Sequence, residues 1–229
     1  MTRFVSLLAL ALGLAAAPAT ATAQNKIYVV HGIPGAVVDV YVNGGLLLDD
    51  FTFGTIVGPV ALGAGDYAVE IKDATGASVV YAETLTIPAG DNLNISITAH
   101  LNAAGTPDLT PFINANTTID AGQSRLGVRH AAYAPAVDVV VSGDVPKGKG
   151  GVLLPGVVSG VGAVVGCSVI DVPVDDYAVW LRVSRDGMGN ARPVLRPVNL
   201  KLEEGQAVYV FAVGSVADGT FQYLVQVNP

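Results

Sequence analysis

Residues 29–44 read VVHGIPGAVVDVYVNG and residues 128–143 read VRHAAYAPAVDVVVSG, and this repeated stretch decides the fold. Seven of the sixteen positions are identical when the two stretches are aligned at an offset of 99 residues. A second shared string, Asp-Tyr-Ala-Val, begins at Asp66 and again at Asp176. The chain therefore contains an internal duplication, which predicts two copies of one structural unit.

Each copy has the sequence pattern of short β-strands. Valine-rich segments alternate apolar and polar residues with a period of two, and Gly, Asp and Pro separate them. The Asn43-Gly44 pair favours a tight hairpin because both residue types tolerate positive φ angles. Eight strands are predicted in each copy, near residues 26–31, 36–42, 46–49, 55–62, 66–72, 78–87, 92–100 and 109–113, then 125–130, 136–142, 157–161, 167–173, 176–184, 193–202, 206–214 and 220–227.

These features predict an all-β protein made of two tandem immunoglobulin-like β-sandwich domains. The polar segment 114–124 separates the copies, so the first sandwich is assigned to residues 24–116 and the second to residues 117–229. The second copy also contains eleven additional residues, which fall in the Gly-rich segment 143–166. Such an insertion is either a tolerated surface loop or a functional one, since loops on rigid scaffolds often carry binding residues.

The N-terminal segment, residues 1–23, is predicted to be a cleaved signal peptide. Arg3 precedes the apolar run Phe4–Ala17, and Ala21-Thr22-Ala23 supplies the small residues of a cleavage site. The mature chain is therefore expected to be secreted or periplasmic. No later stretch approaches the roughly 20 apolar residues that cross a bilayer, so no membrane span is expected in the mature chain.

Charge and cysteine content exclude several classes of function. The chain has 12 basic and 19 acidic residues, a net charge of −7 at pH 7. Binding to nucleic acid is not expected, because it requires a basic surface. The single cysteine, Cys167, cannot form an internal disulfide, so stability must come from buried apolar side chains.

A histidine–aspartate pair recurs in both copies, as His31 with Asp39 and His130 with Asp138. Such a pair could bind a metal or act as a general base with its orienting carboxylate. No third ligand follows at matching spacing, and both copies keep the pair. We therefore expect these residues to form a structural motif, with the imidazole bonded to the loop backbone and the aspartate near the hairpin. No catalytic residue, metal or cofactor is expected.

The only tryptophan, Trp180, is predicted to lie on an outer sheet face. Strand alternation directs Val179 and Leu181 inward, which leaves Trp180 on the opposite side, where the first copy has Glu70. An aromatic ring there could stack on a sugar or anchor a partner, so Trp180 is the candidate ligand-binding residue. The structural alternative is that the ring packs against the other sandwich or the 143–166 segment.

Several segments of both copies resemble the bacterial and archaeal domain of unknown function 4397 family. The resemblance covers nearly all of residues 26–229 as two tandem copies. It implies an immunoglobulin-like sandwich in an exported or surface protein, and it implies no reaction and no established ligand. The segments that carry it are His31–Gly44, Gly65–Ile71 and Ile87–Ala99, then His130–Gly143, Asp176–Val183 and Leu202–Thr220.

Together these features predict an exported, non-enzymatic protein that acts as a cell-envelope or extracellular binding or structural module. The alternative is a carbohydrate-binding or adhesion module that uses Trp180, with a glycan or an envelope protein as partner. A metal-dependent hydrolase built on the His/Asp pairs is a third hypothesis, which the missing third ligand disfavours.

Overall fold

The structure is a computed structural model that describes residues 24–90, 92–135, 137–143, 152–157, 167–183 and 196–228. The predicted signal peptide and most of the 143–166 segment lie outside these residues. Every regular element within them is a β-strand, which confirms the all-β prediction. The strands are β1 (Asn25–His31), β2 (Val37–Val42), β3 (Gly45–Thr52), β4 (Ile56–Leu62), β5 (Gly65–Asp73), β6 (Val79–Ile87), β7 (Asn94–Leu101), β8 (Pro107–Asn114), β9 (Gln123–His130), β10 (Val137–Gly143), β11 (Val152–Val157), β12 (Cys167–Pro173), β13 (Asp176–Val183), β14 (Val198–Lys201), β15 (Ala207–Val213) and β16 (Gln222–Asn228).

The strands form four sheets with the same topology in each half of the chain. In the first half the inner sheet has the order β4-β1-β7-β8 and the outer sheet the order β3-β2-β5-β6. In the second half the inner sheet is β12-β9-β15-β16 and the outer sheet is β11-β10-β13-β14. The first and seventh strands of each half pair in parallel, and the other pairs are antiparallel. The duplication seen in the sequence is thus repeated strand for strand in the fold.

One strand differs from its predicted position. The third strand of the second half is expected near residues 157–161, but β11 spans Val152–Val157. The strand contains Pro155-Gly156, a pair that is typical of turns. Because β11 lies at the edge of its sheet, the missing N–H of Pro155 is compatible with a strand there.

Each sandwich encloses its own apolar core between its inner and outer sheets. The first core contains inward side chains of β2 and β5, including Val40 and Ile71. The second contains their counterparts from β10 and β13, including Val139 and Leu181. Helices long and apolar enough to cross a membrane are absent from the part of the chain that the structure describes.

The two inner sheets also stack on each other. Val30 and Phe112 of the first sandwich form a third apolar cluster with Tyr209 and Phe211 of β15. The intervening β15 residues, such as Val210, face the second core instead. Strand β15 is therefore buried on both faces, and the described residues form a stack of four sheets around three apolar layers.

Buried polar groups connect the stacked inner sheets. The Ser96 hydroxyl donates a hydrogen bond to Gln226 Oε1 at 2.8 Å. The guanidinium group of Arg129 lies 5.2 Å from the ring centroids of both Phe112 and Tyr209. These contacts satisfy polar groups that would otherwise be costly to bury, and they fix how one inner sheet lies on the other.

The position of Tyr209 requires a glycine on the neighbouring strand. A Cβ atom at Gly127 would overlap Cδ1 of the Tyr209 ring, which is fully buried. We expect Gly127→Ala to lower the free energy of unfolding by about 1–3 kcal/mol through overpacking. Urea denaturation measures this change. Gly45→Ala is the control, because a Cβ there meets only Val42 O at 3.5 Å; an equal loss in both variants would contradict the prediction.

Candidate functional site

The first His/Asp pair accepts hydrogen bonds from backbone N–H groups near β1 and β2. His31 ends β1 and is buried, and its Nδ1 accepts a hydrogen bond from the Ile33 N–H at 3.3 Å. The Asp39 carboxylate accepts a hydrogen bond from the Asp50 N–H at 3.0 Å. Asp50 has a φ of 48°, so Asp39 stabilises an irregular position in the neighbouring strand β3.

The second pair makes similar local contacts. His130 Nε2 is 3.1 Å from the Pro135 carbonyl oxygen, across the loop that follows β9. Asp138 forms an ion pair with Arg182 at 3.3 Å on the adjacent strand β13. Among the described residues, no group of three or more His, Cys, Asp and Glu side chains is arranged to hold a metal ion.

Trp180 lies on β13, paired with Val140 of β10. Its neighbours along the strand, Val179 and Leu181, are fully buried in the second core, and Trp180 itself is partly buried on the other face. Its ring is therefore only partly available for stacking on a ligand.

One feature that the sequence did not predict is a cavity inside the first sandwich. It has a volume of about 300 Å³ and lies between the inner and outer sheets. Apolar side chains from both sheets form nearly all of its wall, and the exposed Val37 and Val80 belong to the wall, so the cavity reaches the surface there. Other wall residues include Val40, Ile71 and Leu109.

Corresponding core residues of the two sandwiches differ in exposure. Val40 and Ile71 retain 7% exposure, whereas their counterparts Val139 and Leu181 have 0%. Since all four residues belong to apolar cores, the difference reflects how closely each core is filled.

A single replacement accounts for much of this difference. Leu109 pairs with Ala99 in the first inner sheet, and Tyr223 pairs with Ala212 at the corresponding positions of the second. The Tyr223 side chain crosses the second core, where its hydroxyl accepts a hydrogen bond from the Leu181 N–H at 2.9 Å. Leucine is too short to make the same crossing, so the corresponding volume in the first sandwich stays open.

Few polar groups belong to the cavity wall, and most have partners within the protein. The Tyr67 hydroxyl donates to the Gly63 carbonyl at 3.1 Å, and the Asp73 carboxylate accepts from the Thr75 N–H at 3.0 Å. The Tyr81 hydroxyl donates to Glu83 Oε2 at 2.8 Å, and burial together with that carboxylate raises the pKa of Tyr81.

His31 differs from these groups. Its Nε2 atom is buried and makes no hydrogen bond of normal geometry, although the imidazole interacts with the Ala36 backbone. Burial lowers the pKa of His31 to about 4, and the Ala36 carbonyl offsets this only in part. The imidazole is therefore neutral at pH 7.

Fold and site together define a class of protein: a tandem β-sandwich with an apolar cavity in its first half. The chain belongs to the family described as domain of unknown function (DUF4397), whose model matches residues 25–140. No curated protein matches the chain.

Among solved structures, the chain is similar to one described as "Alpha-glucan binding by a streptococcal virulence factor". The two share 11% sequence identity with a TM-score of 0.28, over 86% of this chain and 95% of that chain. A likeness this low carries no argument about function.

Proposed function

We propose that this chain is an exported, non-enzymatic binding module of the cell envelope or the extracellular space, which holds a small apolar ligand inside its first sandwich. The observation that carries the proposal is the cavity of about 300 Å³ with its almost entirely apolar wall. Small-molecule sites have this character, with volumes from about 300 Å³ upward and a few placed polar groups. Burying an apolar ligand there is favourable by roughly 25 cal/mol per Å² of apolar surface removed from water.

The polar residues of the site favour binding over catalysis. The His31 and Asp39 side chains bond to backbone N–H groups of two different segments, Ile33 and Asp50. Tyr67 and Tyr81 are held by Gly63 and Glu83. Catalysis needs a nucleophile or base free to reach a reacting atom, and these groups already have structural partners.

The second sandwich has a different role in this proposal. Tyr223 and Phe221 fill its core, and their rings lie 5.8 Å apart in an edge-to-face arrangement. Its inner sheet stacks on that of the first sandwich through Phe211 and Phe112. The second sandwich thus packs against the inner sheet of the first, on the side away from the first outer sheet.

Filling the cavity tests the proposal. Leu109→Tyr, chosen to match Tyr223 of the second sandwich, is expected to weaken binding of a neutral apolar fluorophore such as N-phenyl-1-naphthylamine by at least about 10-fold, since the new ring occupies the ligand's volume. Fluorescence titration of residues 24–229 measures the change. Ile113→Tyr is the matched control, because Ile113 lies on the same strand, is 55% exposed, and is not part of the cavity wall.

Two results would overturn this proposal. One is the absence of any saturable binding of the fluorophore to the folded wild-type chain. The other is equal binding by Leu109→Tyr and Ile113→Tyr when both variants melt cooperatively, because the bound molecule would then lie elsewhere.

The carbohydrate-binding alternative depends on a different part of the molecule and can be separated in the same experiments. Trp180 is the only tryptophan and belongs to the outer sheet of the second sandwich. A glycan that stacks on this ring would change the tryptophan fluorescence and would be insensitive to Leu109→Tyr.

A further inference from the structure

We propose that the ligand of the first sandwich is a cationic amphiphile, whose alkyl chain fills the cavity while its ammonium head stays at the mouth beside Asp73. This inference rests on the proposed function, because it names the ligand class for the same cavity. The apolar wall would hold the chain, and the charges around the mouth would select the head.

The cavity is elongated along the strands of the first sandwich. Alternate residues of β5, from near its start to its last residue, belong to the wall: Tyr67, Val69, Ile71 and Asp73. At about 3.3 Å per residue, these positions extend over roughly 20 Å. A volume of about 300 Å³ that follows the strand over this length suits an extended alkyl chain.

The mouth of the cavity lies at the end of the sandwich where β1 leads into β2. Val37, the first residue of β2, and Val80 of β6 are exposed wall residues at this end. Asp73 ends β5 and pairs with Val38. Its N–H bonds to the Ser78 carbonyl at 2.9 Å, in the turn that leads toward Val80. Asp73 is therefore a charged wall residue that lies at the mouth.

A β-bulge shapes this mouth. The pairing of β5 with β6 shifts register between Ile71, which pairs with Tyr81, and Lys72, which pairs with Val79. Val80 is the extra residue of the bulge, and Val80 and Tyr81 both belong to the wall. Since neighbouring residues of a regular strand face opposite sides of the sheet, the bulge is what brings Val80 to the opening.

Asp73 carries a negative charge at the mouth. Its Oδ1 atom accepts hydrogen bonds from the N–H groups of Thr75 at 3.0 Å and Ala77 at 3.3 Å. The hydrogen bond from the Thr75 side chain contributes most to lowering the pKa of Asp73, so the carboxylate is ionised at pH 7. Because these donors are uncharged, they hold the carboxylate in position without neutralising it.

Two further carboxylates lie near this end of the cavity. Glu83 accepts the hydrogen bond of the wall residue Tyr81 at 2.8 Å, and Asp108 follows the wall residue Pro107. Burial, the Glu83 carboxylate and the charge of Asp108 together raise the pKa of Tyr81. Both carboxylates are therefore close enough to act on this part of the wall.

The cations of the first sandwich lie elsewhere. Residues 24–116 contain two basic side chains, Lys26 and Lys72, and nine acidic ones. Lys72 pairs with Glu70 at 3.4 Å and lies 4.1 Å from the centroid of the Tyr41 ring, on the face of the outer sheet away from the cavity. Lys26 lies near the start of β1, whereas the mouth is at the end of that strand. An anionic head would therefore enter a negative field, and an ammonium head would complement it.

A competition experiment on residues 24–229 tests this inference. Decylamine, 1-decanol and decanoate have the same chain with a cationic, a neutral and an anionic head at pH 7, and each is used to displace N-phenyl-1-naphthylamine. In the wild type, decylamine is expected to act at about 5-fold lower concentration than 1-decanol, the effect of a solvent-accessible ion pair. Decanoate is expected to be the weakest competitor. Because salt screens accessible charges, about 0.5 M NaCl should reduce the preference for decylamine.

Two substitutions assign the preference to the mouth. Asp73→Asn removes the charge but keeps an oxygen that can accept the hydrogen bond of the Thr75 N–H, and it should reduce the preference for decylamine over 1-decanol to about 2-fold or less. Asp108→Asn should reduce it as well, which keeps the inference testable if Asp73→Asn does not fold. Asp66→Asn is the matched control, because Asp66 is an exposed residue of the same strand β5 that lies outside the cavity wall. It should leave the preference unchanged.

The outcomes separate this inference from the proposed function. Equal displacement by decylamine and 1-decanol in the wild type, or tightest binding of decanoate, would overturn the cationic head and leave the apolar site intact. An unchanged preference in the folded Asp73→Asn and Asp108→Asn variants would overturn it too, as would an equal loss in Asp66→Asn, which would make the preference an effect of net charge alone. Failure of the fluorophore to bind at all would overturn the proposed function itself.

Discussion

Replacing Phe211 with alanine is expected to lower the free energy of unfolding by about 3–5 kcal/mol. Phe211 is fully buried between the two inner sheets, and its ring meets that of Phe112 at 6.3 Å, nearly edge to face. Truncation would remove this contact and leave a void, because Tyr209 and Val213 of the same strand are already packed in the cluster. Urea denaturation at pH 7, followed by circular dichroism, measures the change.

The appropriate control is Val225→Ala on the neighbouring strand β16. Val225 is 39% exposed and pairs with Val210, so its truncation should change the free energy of unfolding by about 0.5 kcal/mol or less. If Phe211→Ala lowered the free energy of unfolding no more than Val225→Ala does, the two inner sheets would not be stacked through Phe211 as described. If Phe211→Ala instead separated unfolding into two transitions, the inner-sheet contact would be what makes the two sandwiches unfold together.

The sequence predicted the repeated sandwich because strand alternation and turn residues are local signals. The strand pairs at Asn43-Gly44 and at the Asp66 and Asp176 strings lie where they were expected. The exception, β11, shows the limit of such signals. A proline such as Pro155 is compatible with both a turn and an edge strand. Only the order of the strands in the sheet shows that it lies in an edge strand here.

The stacking of the inner sheets could not be predicted from alternation. Strand β15 reads AVYVFAV, a continuous apolar run that is consistent with burial on both faces, but the run does not say what covers the second face. The partner surface comes from β1 and β8, which belong to the first half of the chain. A contact of this kind depends on which two sheets meet, and no local periodicity reports that.

The cavity was missed for a related reason. Leu109 is an ordinary apolar residue for a strand. The hydrophobic pattern of a sequence does not show whether the side chains fill the core, so it does not reveal a cavity. A signal exists only in the comparison of the two copies, where Tyr223 occupies the position of Leu109. The His/Asp pairs, in contrast, were visible because identical polar residues recur, and the difference between His31 and His130 appears only in their hydrogen bonds.

Acidification from pH 7 to pH 4 is expected to destabilise the folded chain by on the order of 3 kcal/mol for each of two histidines. Burial lowers the pKa of both His31 and His130 to about 4, from an ordinary value of 6.5. Between these values the unfolded chain binds protons that the folded chain does not. Stability is therefore fully present above pH 6.5 and is lost progressively as the pH falls toward 4.

The ion pair of Asp171 with Arg125 acts in a lower pH range than the two histidines. The hydrogen bonds and charge of Arg125 lower the pKa of Asp171 below 3.8, so that pair weakens only beneath the histidine window. Free energies of unfolding from urea titrations at half-unit steps between pH 7 and 4.5 measure the slope.

His31→Gln should reduce this slope by about half, because it removes one of the two proton-binding groups. An unchanged slope in that variant would mean that the imidazole of His31 is already hydrated in the folded chain. The pH profile therefore tests directly whether the His31 imidazole is buried in the folded chain, as its 2% exposure indicates.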